Sequence, residues 1–104
     1  MSVVLVLTTV PDQARGEAIA RELVEGRLAA CVNVLPPMIS FYRWNNAIER
    51  DAEHQLVIKT TPDRVGAVEA RLAELHPYEL PEVLVVPIAH GSARYLAWVT
   101  AETR

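Results

Sequence analysis

Five consecutive aliphatic residues, Val3 to Leu7, open the patterned part of the chain and predict a strand buried on both faces. Pro11-Asp12 then opens a helix, proline suiting its first turn and aspartate the positive end of its dipole. Within that helix Ile19, Ala20, Leu23 and Val24 form an apolar stripe, with Arg15, Glu17, Arg21, Glu22 and Glu25 at other positions. Gly26 is placed to end it. From Cys31 the period changes to that of strands. Cys31 to Trp44 and Ala47 to Thr60 are rich in β-branched and aromatic residues, with Asn45-Asn46 between them as a two-residue turn. Pro36-Pro37 cannot donate to a ladder and predicts a bulge or kink in the first arm. In the second arm Glu49, Asp51, Glu53, Gln55 and Lys59 share one face, and Ile48, Ala52, Leu56 and Ile58 the other. Arg50 and His54 fall on the apolar side.

Thr61-Pro62 predicts the next helix, a hydroxyl cap followed by proline at the first helical position. Val65, Val68, Leu72 and Leu75 mark its apolar face, and Pro77 ends it. Val83 to Ile88 reads as a strand, with Pro87 requiring an edge or bulge there. Gly91-Ser92 leads into a short final helix with Leu96 and Val99 toward the core. The order is an α+β, ferredoxin-like βαββαβ arrangement with a long hairpin between its second and third strands and a short C-terminal helix. Residues 1–104 are expected to form a single domain.

The hairpin is too long for such a body. An extended arm of this kind spans roughly 45 Å at ~3.3 Å per residue, whereas a compact chain of about a hundred residues is about 34 Å across. Its tip must overhang, and unpaired ribbon edges need cover. Another copy of the same chain is the economical cover, so the hairpin predicts an oligomer.

Composition narrows the function classes. A net charge of −3 with basic residues scattered singly argues against nucleic acid as a partner. Cys31 is the only cysteine, so no intrachain disulfide forms and nothing suggests an oxidising compartment. The amino terminus lacks a basic start and a small-residue cleavage pattern, and its apolar run is too short for a membrane span. A cytoplasmic protein without membrane insertion is expected. Neither a Ser-His-Asp pattern, an HExxH motif, a CxxC pair nor a glycine-rich phosphate loop is present, so the expectation is no enzyme.

Five motifs stand in order with characteristic gaps: Arg27-Leu28-Ala29-Ala30-Cys31-Val32-Asn33, Tyr42-Arg43-Trp44, Val57-Ile58-Lys59-Thr60, His76-Pro77-Tyr78-Glu79-Leu80-Pro81-Glu82 and Tyr95-Leu96-Ala97-Trp98. Together they resemble the CutA family of divalent-cation tolerance proteins, over essentially the whole chain. The resemblance implies a tight homotrimer with hairpins exchanged between neighbours, and a role in tolerance of metal ions, copper foremost. It implies no reaction and no obligatory cofactor; copper or another divalent cation is the ion class to consider. The architecture is also similar to that of PII-type signalling proteins, which gives an alternative: a sensor or adaptor holding a small ligand between subunits.

His76 is the first candidate metal residue, because neutral imidazole suits copper and zinc. Some relatives combine a histidine here with a second histidine and a cysteine, where this chain has Leu75 and Thr8. The competing reading is that His76 shapes the turn into Tyr78. Cys31 is the second candidate, as a soft thiolate ligand, against a plain role as a small buried hydrophobe. Glu53 and Lys59, with Tyr42 and Trp44, are candidates to line a ligand cleft. Glu79 and Glu82 are candidate hard-ion ligands. For Tyr42, Trp44, Tyr95 and Trp98 the role of subunit anchors is favoured over that of cleft lining.

Overall fold

Asn45 and Asn46 both adopt left-handed backbone, φ 49° and 63°, the pair of conformations a type I′ hairpin turn demands and asparagine tolerates. In the computed structural model, which describes residues 2–104, this turn joins β3 (Met38–Trp44) to β4 (Ala47–Thr60). Met1, part of the expected 1–104 span, lies outside the described residues. The remaining elements are β1 (Val4–Val10), α1 (Gln13–Glu25), β2 (Cys31–Val34), α2 (Val65–Leu75), β5 (Leu84–Pro87) and α3 (Ala93–Glu102).

All ladders are antiparallel, in the order β2-β4-β1-β5, with β3 continuing beside β4. This is the expected ferredoxin-like sheet with its second strand divided. The division is a bulge. Val34 pairs with Leu56 and Met38 with Glu53, so one strand advances four residues while the other advances three. Leu35 N–H still donates to the Gln55 carbonyl at 2.9 Å. His54 Nδ1–H donates to the Leu35 carbonyl at 2.8 Å, which gives the histidine on the apolar side a partner and the bulged backbone an acceptor's due.

Helices α1 and α2 cover one face. Val6, Val10, Leu56 and Ile58 of the sheet pack with Ile19 and Leu23 of α1 and Val68 and Leu72 of α2. Each such side chain contributes about 1.5–3 kcal/mol on burial. A smaller cluster, Val3, Ala30 and Val99 with Ile88 and Leu96, seats α3. Ser92 caps that helix by accepting from Tyr95 N–H.

Several details differ from the pattern reading. In β1, Val4 and Val6 are buried but Leu5 and Leu7 are half-buried, because a single chain covers the face away from α1 and α2 only in part. Asp12, not Pro11, meets the start of α1, accepting from Arg15 N–H at 2.8 Å. The buried stripe of α1 is Gly16, Ile19 and Leu23, leaving Val24 exposed. Gly26 does close that helix, yet the left-handed residue is Arg27, φ 60°. Its guanidinium reaches the Arg104 and Ala101 carbonyls at 2.7 and 3.1 Å, which offsets the cost of that backbone. Thr61 makes no side-chain cap bond, and the helix begins as a 3-10 turn over Pro62–Arg64. Strand β5 is a sheet edge, as Pro87 requires, and all four of its residues are exposed.

The hairpin overhangs. The chain measures 45 × 26 × 23 Å along its principal axes. Toward the tip, Ile39, Phe41, Trp44 and Ile48 are all exposed.

Candidate functional site

Pro77 forces the residue before it out of helical backbone, and His76 accordingly closes α2 with ψ 134°. That turn aims its ring at the sheet. Nε2–H donates to the Thr9 carbonyl at 2.7 Å, and Nδ1 accepts from Tyr78 N–H at 3.1 Å. A carbonyl accepts and an amide donates, so the network fixes the neutral Nε2–H tautomer. The Tyr78 ring lies 4.9 Å from the imidazole, tilted by 49°, and its hydroxyl donates to Glu53 at 2.9 Å. Two residues along the same face of β4, Asp51 accepts from the Tyr42 hydroxyl.

Both phenols are therefore held protonated. Burial, then the Glu53 carboxylate, pushes Tyr78 well above the ordinary phenol range. The hydrogen bond to Asp51 is the main cause that raises Tyr42 to about 12. His76 is shifted the other way: burial lowers it, outweighing the Thr9 carbonyl and the Glu53 charge.

Metal ligation by His76 would require breaking one of these two bonds, since both ring nitrogens are engaged. Cys31 does not supplement it. It lies half-buried on the sheet face away from α1 and α2, opposite Lys59 in the ladder and 3.9 Å from Asn33 Nδ2. Lys59 pairs with Leu5, whereas His76 bonds Thr9, so the two candidates are offset by about 13 Å along the strand direction alone at ~3.3 Å per residue. Among the described residues no three His, Cys, Asp or Glu side chains are grouped to hold a metal ion.

Of the four candidate cleft residues, Lys59 stands well apart within one protomer, whereas Tyr42 and Glu53 lie near enough that the Glu53 charge contributes to the rise at Tyr42. Glu53 joins Tyr78 and His76. Tyr42 joins Asp51. Lys59 lies roughly 20 Å farther along the same strand, its ammonium 5.8 Å from the centre of the Tyr95 ring, which packs against Trp98. Trp44 pairs with Ala47 beside the turn. A continuous strand cannot bring Glu53 and Lys59 together, so any cleft shared by them needs more than one copy. Glu79 is exposed, and Glu82 Oε2 is buried with no hydrogen-bond partner among the described residues. The sequence reading did not single out Asp51 as a site residue; its signal was the alternation that sets it beside Glu53.

The His76 bonds set a pH dependence. Protonation places a hydrogen on Nδ1 and removes the acceptor for Tyr78 N–H. Because the folded-state value lies below the ordinary 6.5, stability is fully present above 6.5 and is lost as pH falls through the lowered value. Denaturant unfolding from pH 7.5 to 5 should show a shallower acid loss in His76→Asn than in the unsubstituted protein. Equal slopes would count against this role.

An open-faced sheet with two helices on one side, a ribbon longer than its body, and a histidine–tyrosine–glutamate chain at the ribbon's base define a lengthened ferredoxin-like module. Residues 4–102 match the family model described as CutA1 divalent ion tolerance protein. The chain belongs to the CutA1 family. It is 43% identical over 99 residues to the divalent-cation tolerance protein CutA of Thermus thermophilus, covering 95% of this chain and 96% of that one. Its fold is similar to crystalline CutA of Xylella fastidiosa, with a TM-score of 0.97, 45% identity and full coverage of both chains. It is likewise similar to a protein of Archaeoglobus fulgidus described as periplasmic divalent cation tolerance protein CutA, with TM-score 0.95, 30% identity and 98% and 99% coverage.

Proposed function

We propose that this chain is a homotrimeric, cytoplasmic divalent-cation tolerance protein that meets metal ions weakly, copper among them, and performs no catalysis of its own. The observation that carries this reading is the ribbon. It extends a 45 Å molecule with exposed apolar side chains, while Leu5, Leu7 and Val57 on the open sheet face are only half-buried. Apolar surface so disposed is what an obligate assembly covers. Family membership supports the tolerance role. The engaged nitrogens of His76 and the remoteness of Cys31 support weak metal contact. Calorimetric titration of the assembled protein with Cu(II), Cu(I) and Zn(II) is expected to give dissociation constants weaker than micromolar. If no ion binds below millimolar concentration, tolerance arises without direct contact.

A second reading, a PII-like sensor for a small anion, is supported by Lys59. Its ammonium lies near Tyr95 and forms no ion pair among the described residues. A bound anion at a hundred times its dissociation constant should add about 2.7 kcal/mol of stability, visible as a rise in Tm.

A further inference from the structure

Where α2 begins and α3 ends, a cavity of about 690 Å³ opens among Thr61, Asp63, Arg64, Thr100, Thr103 and Arg104. Its charged groups have bonding capacity to spare. Arg64 donates through Nε to the Thr103 carbonyl at 2.6 Å, which pins the guanidinium and leaves its Nη groups without a partner among the described residues. Neither Arg64, Arg104 nor Asp63 forms an ion pair among the described residues. Yet the three lie near one another. The Thr61 hydroxyl, the Asp63 N–H and both arginine charges hold the Asp63 carboxyl below its ordinary range, so it is ionised at neutral pH.

The threonines set the remaining polarity. Thr100 donates to the Leu96 carbonyl and Thr103 to the Val99 carbonyl, each at 2.9 Å. A hydroxyl that has spent its one hydrogen on the backbone has only lone pairs left to offer. The wall thus carries guanidinium donors for an anion, a carboxylate for a cation, and hydroxyl acceptors for N–H groups. A plain oxyanion would suit the arginines but face repulsion from Asp63. A plain cation would meet the reverse.

We propose that this cavity binds a small zwitterion of the amino-acid class, its carboxylate held by Arg64 and Arg104 and its ammonium by Asp63. A guanidinium fork matches a carboxylate in two parallel hydrogen bonds. The cavity also has room for a side chain, and the threonine acceptors favour one ending in N–H donors, such as a carboxamide. Every contact comes from one protomer. The site therefore goes beyond the tolerance reading and does not depend on assembly.

Titration of the intact protein with L-glutamine, followed in ¹H–¹⁵N spectra, tests the site. Glutaramate, the same molecule without its ammonium, and inorganic phosphate serve as comparison probes. L-Glutamine should move the amide signals of Thr61, Asp63, Arg64, Thr100 and Thr103 along one saturating curve, with Kd about 1 mM or tighter. Glutaramate and phosphate should bind at least about tenfold more weakly, as expected for loss of a charge-assisted bond. D63N should weaken L-glutamine by a similar factor and leave glutaramate unchanged or tighter. R104Q, at an exposed residue, should weaken both. The absence of a saturable shift at these amides overturns the site. Phosphate binding as tightly as L-glutamine overturns the zwitterion assignment, and so does D63N weakening L-glutamine and glutaramate alike.

Discussion

Leu56→Ala is expected to lower the unfolding free energy by about 2–5 kcal/mol, the range for deleting a buried leucine side chain with partial collapse of the cavity. Leu56 has no solvent exposure and packs in the cluster that joins the sheet to α1 and α2. It is also one of four β4 residues paired on both sides, with Val34 on one flank and Thr8 on the other. The surroundings are therefore backbone-tethered on both flanks, which limits relaxation and favours the upper part of the range. Denaturant titrations at one fixed protein concentration measure the change without a mass-action shift. A loss below about 1 kcal/mol would show that this cluster repacks freely, contrary to the density expected of a core.

Gly16→Leu is the second large effect, expected to cost about 1–3 kcal/mol and occasionally more. A Cβ built on Gly16 would lie 3.2 Å from Val10 Cγ2 and 3.3 Å from both Leu56 Cδ2 and Val34 Cγ1. The missing side chain is what lets α1 approach the sheet so closely. Gly16→Ala separates two opposing effects. Alanine gains about 0.8–1.0 kcal/mol of helix propensity over glycine, while three side chains must yield by tenths of an ångström. The alanine variant should therefore stay close to the unsubstituted stability while the leucine variant falls. A leucine variant as stable as the parent would mean the helix can lift without penalty.

Local chemistry made much of this fold legible. Two asparagines gave the turn, two prolines the bulge, and Pro77 the end of α2, because each acts through its own backbone or its immediate neighbour. The apolar face of α2 followed from spacing alone. What escaped depends on distant partners. Arg27 takes left-handed backbone beside an available glycine, where Leu28 N–H returns to the Leu23 carbonyl and carbonyls of Ala101 and Arg104 hold its guanidinium. Leu5 and Leu7 read as a fully buried run, yet the chain itself covers their side of the sheet only in part.

The candidate site shows the same division. His76 was visible as a residue held before a proline, but its tautomer depends on Thr9, distant in sequence and adjacent in space. Tyr78 lay within a quoted motif without a partner, and Glu53 had a face without a contact. Only the register of β4 against β1 and β3 joins them. Lys59 and Glu53 shared that face by alternation, and alternation does not report how far apart along the strand two residues stand.

Strand β4 is a party to every ladder except the one between β1 and β5. During synthesis, a nascent chain that has emerged only as far as Trp44 holds β1, β2 and β3 with no strand to bond. Those three strands stay unpaired until the stretch ending at Thr60 clears the ribosome.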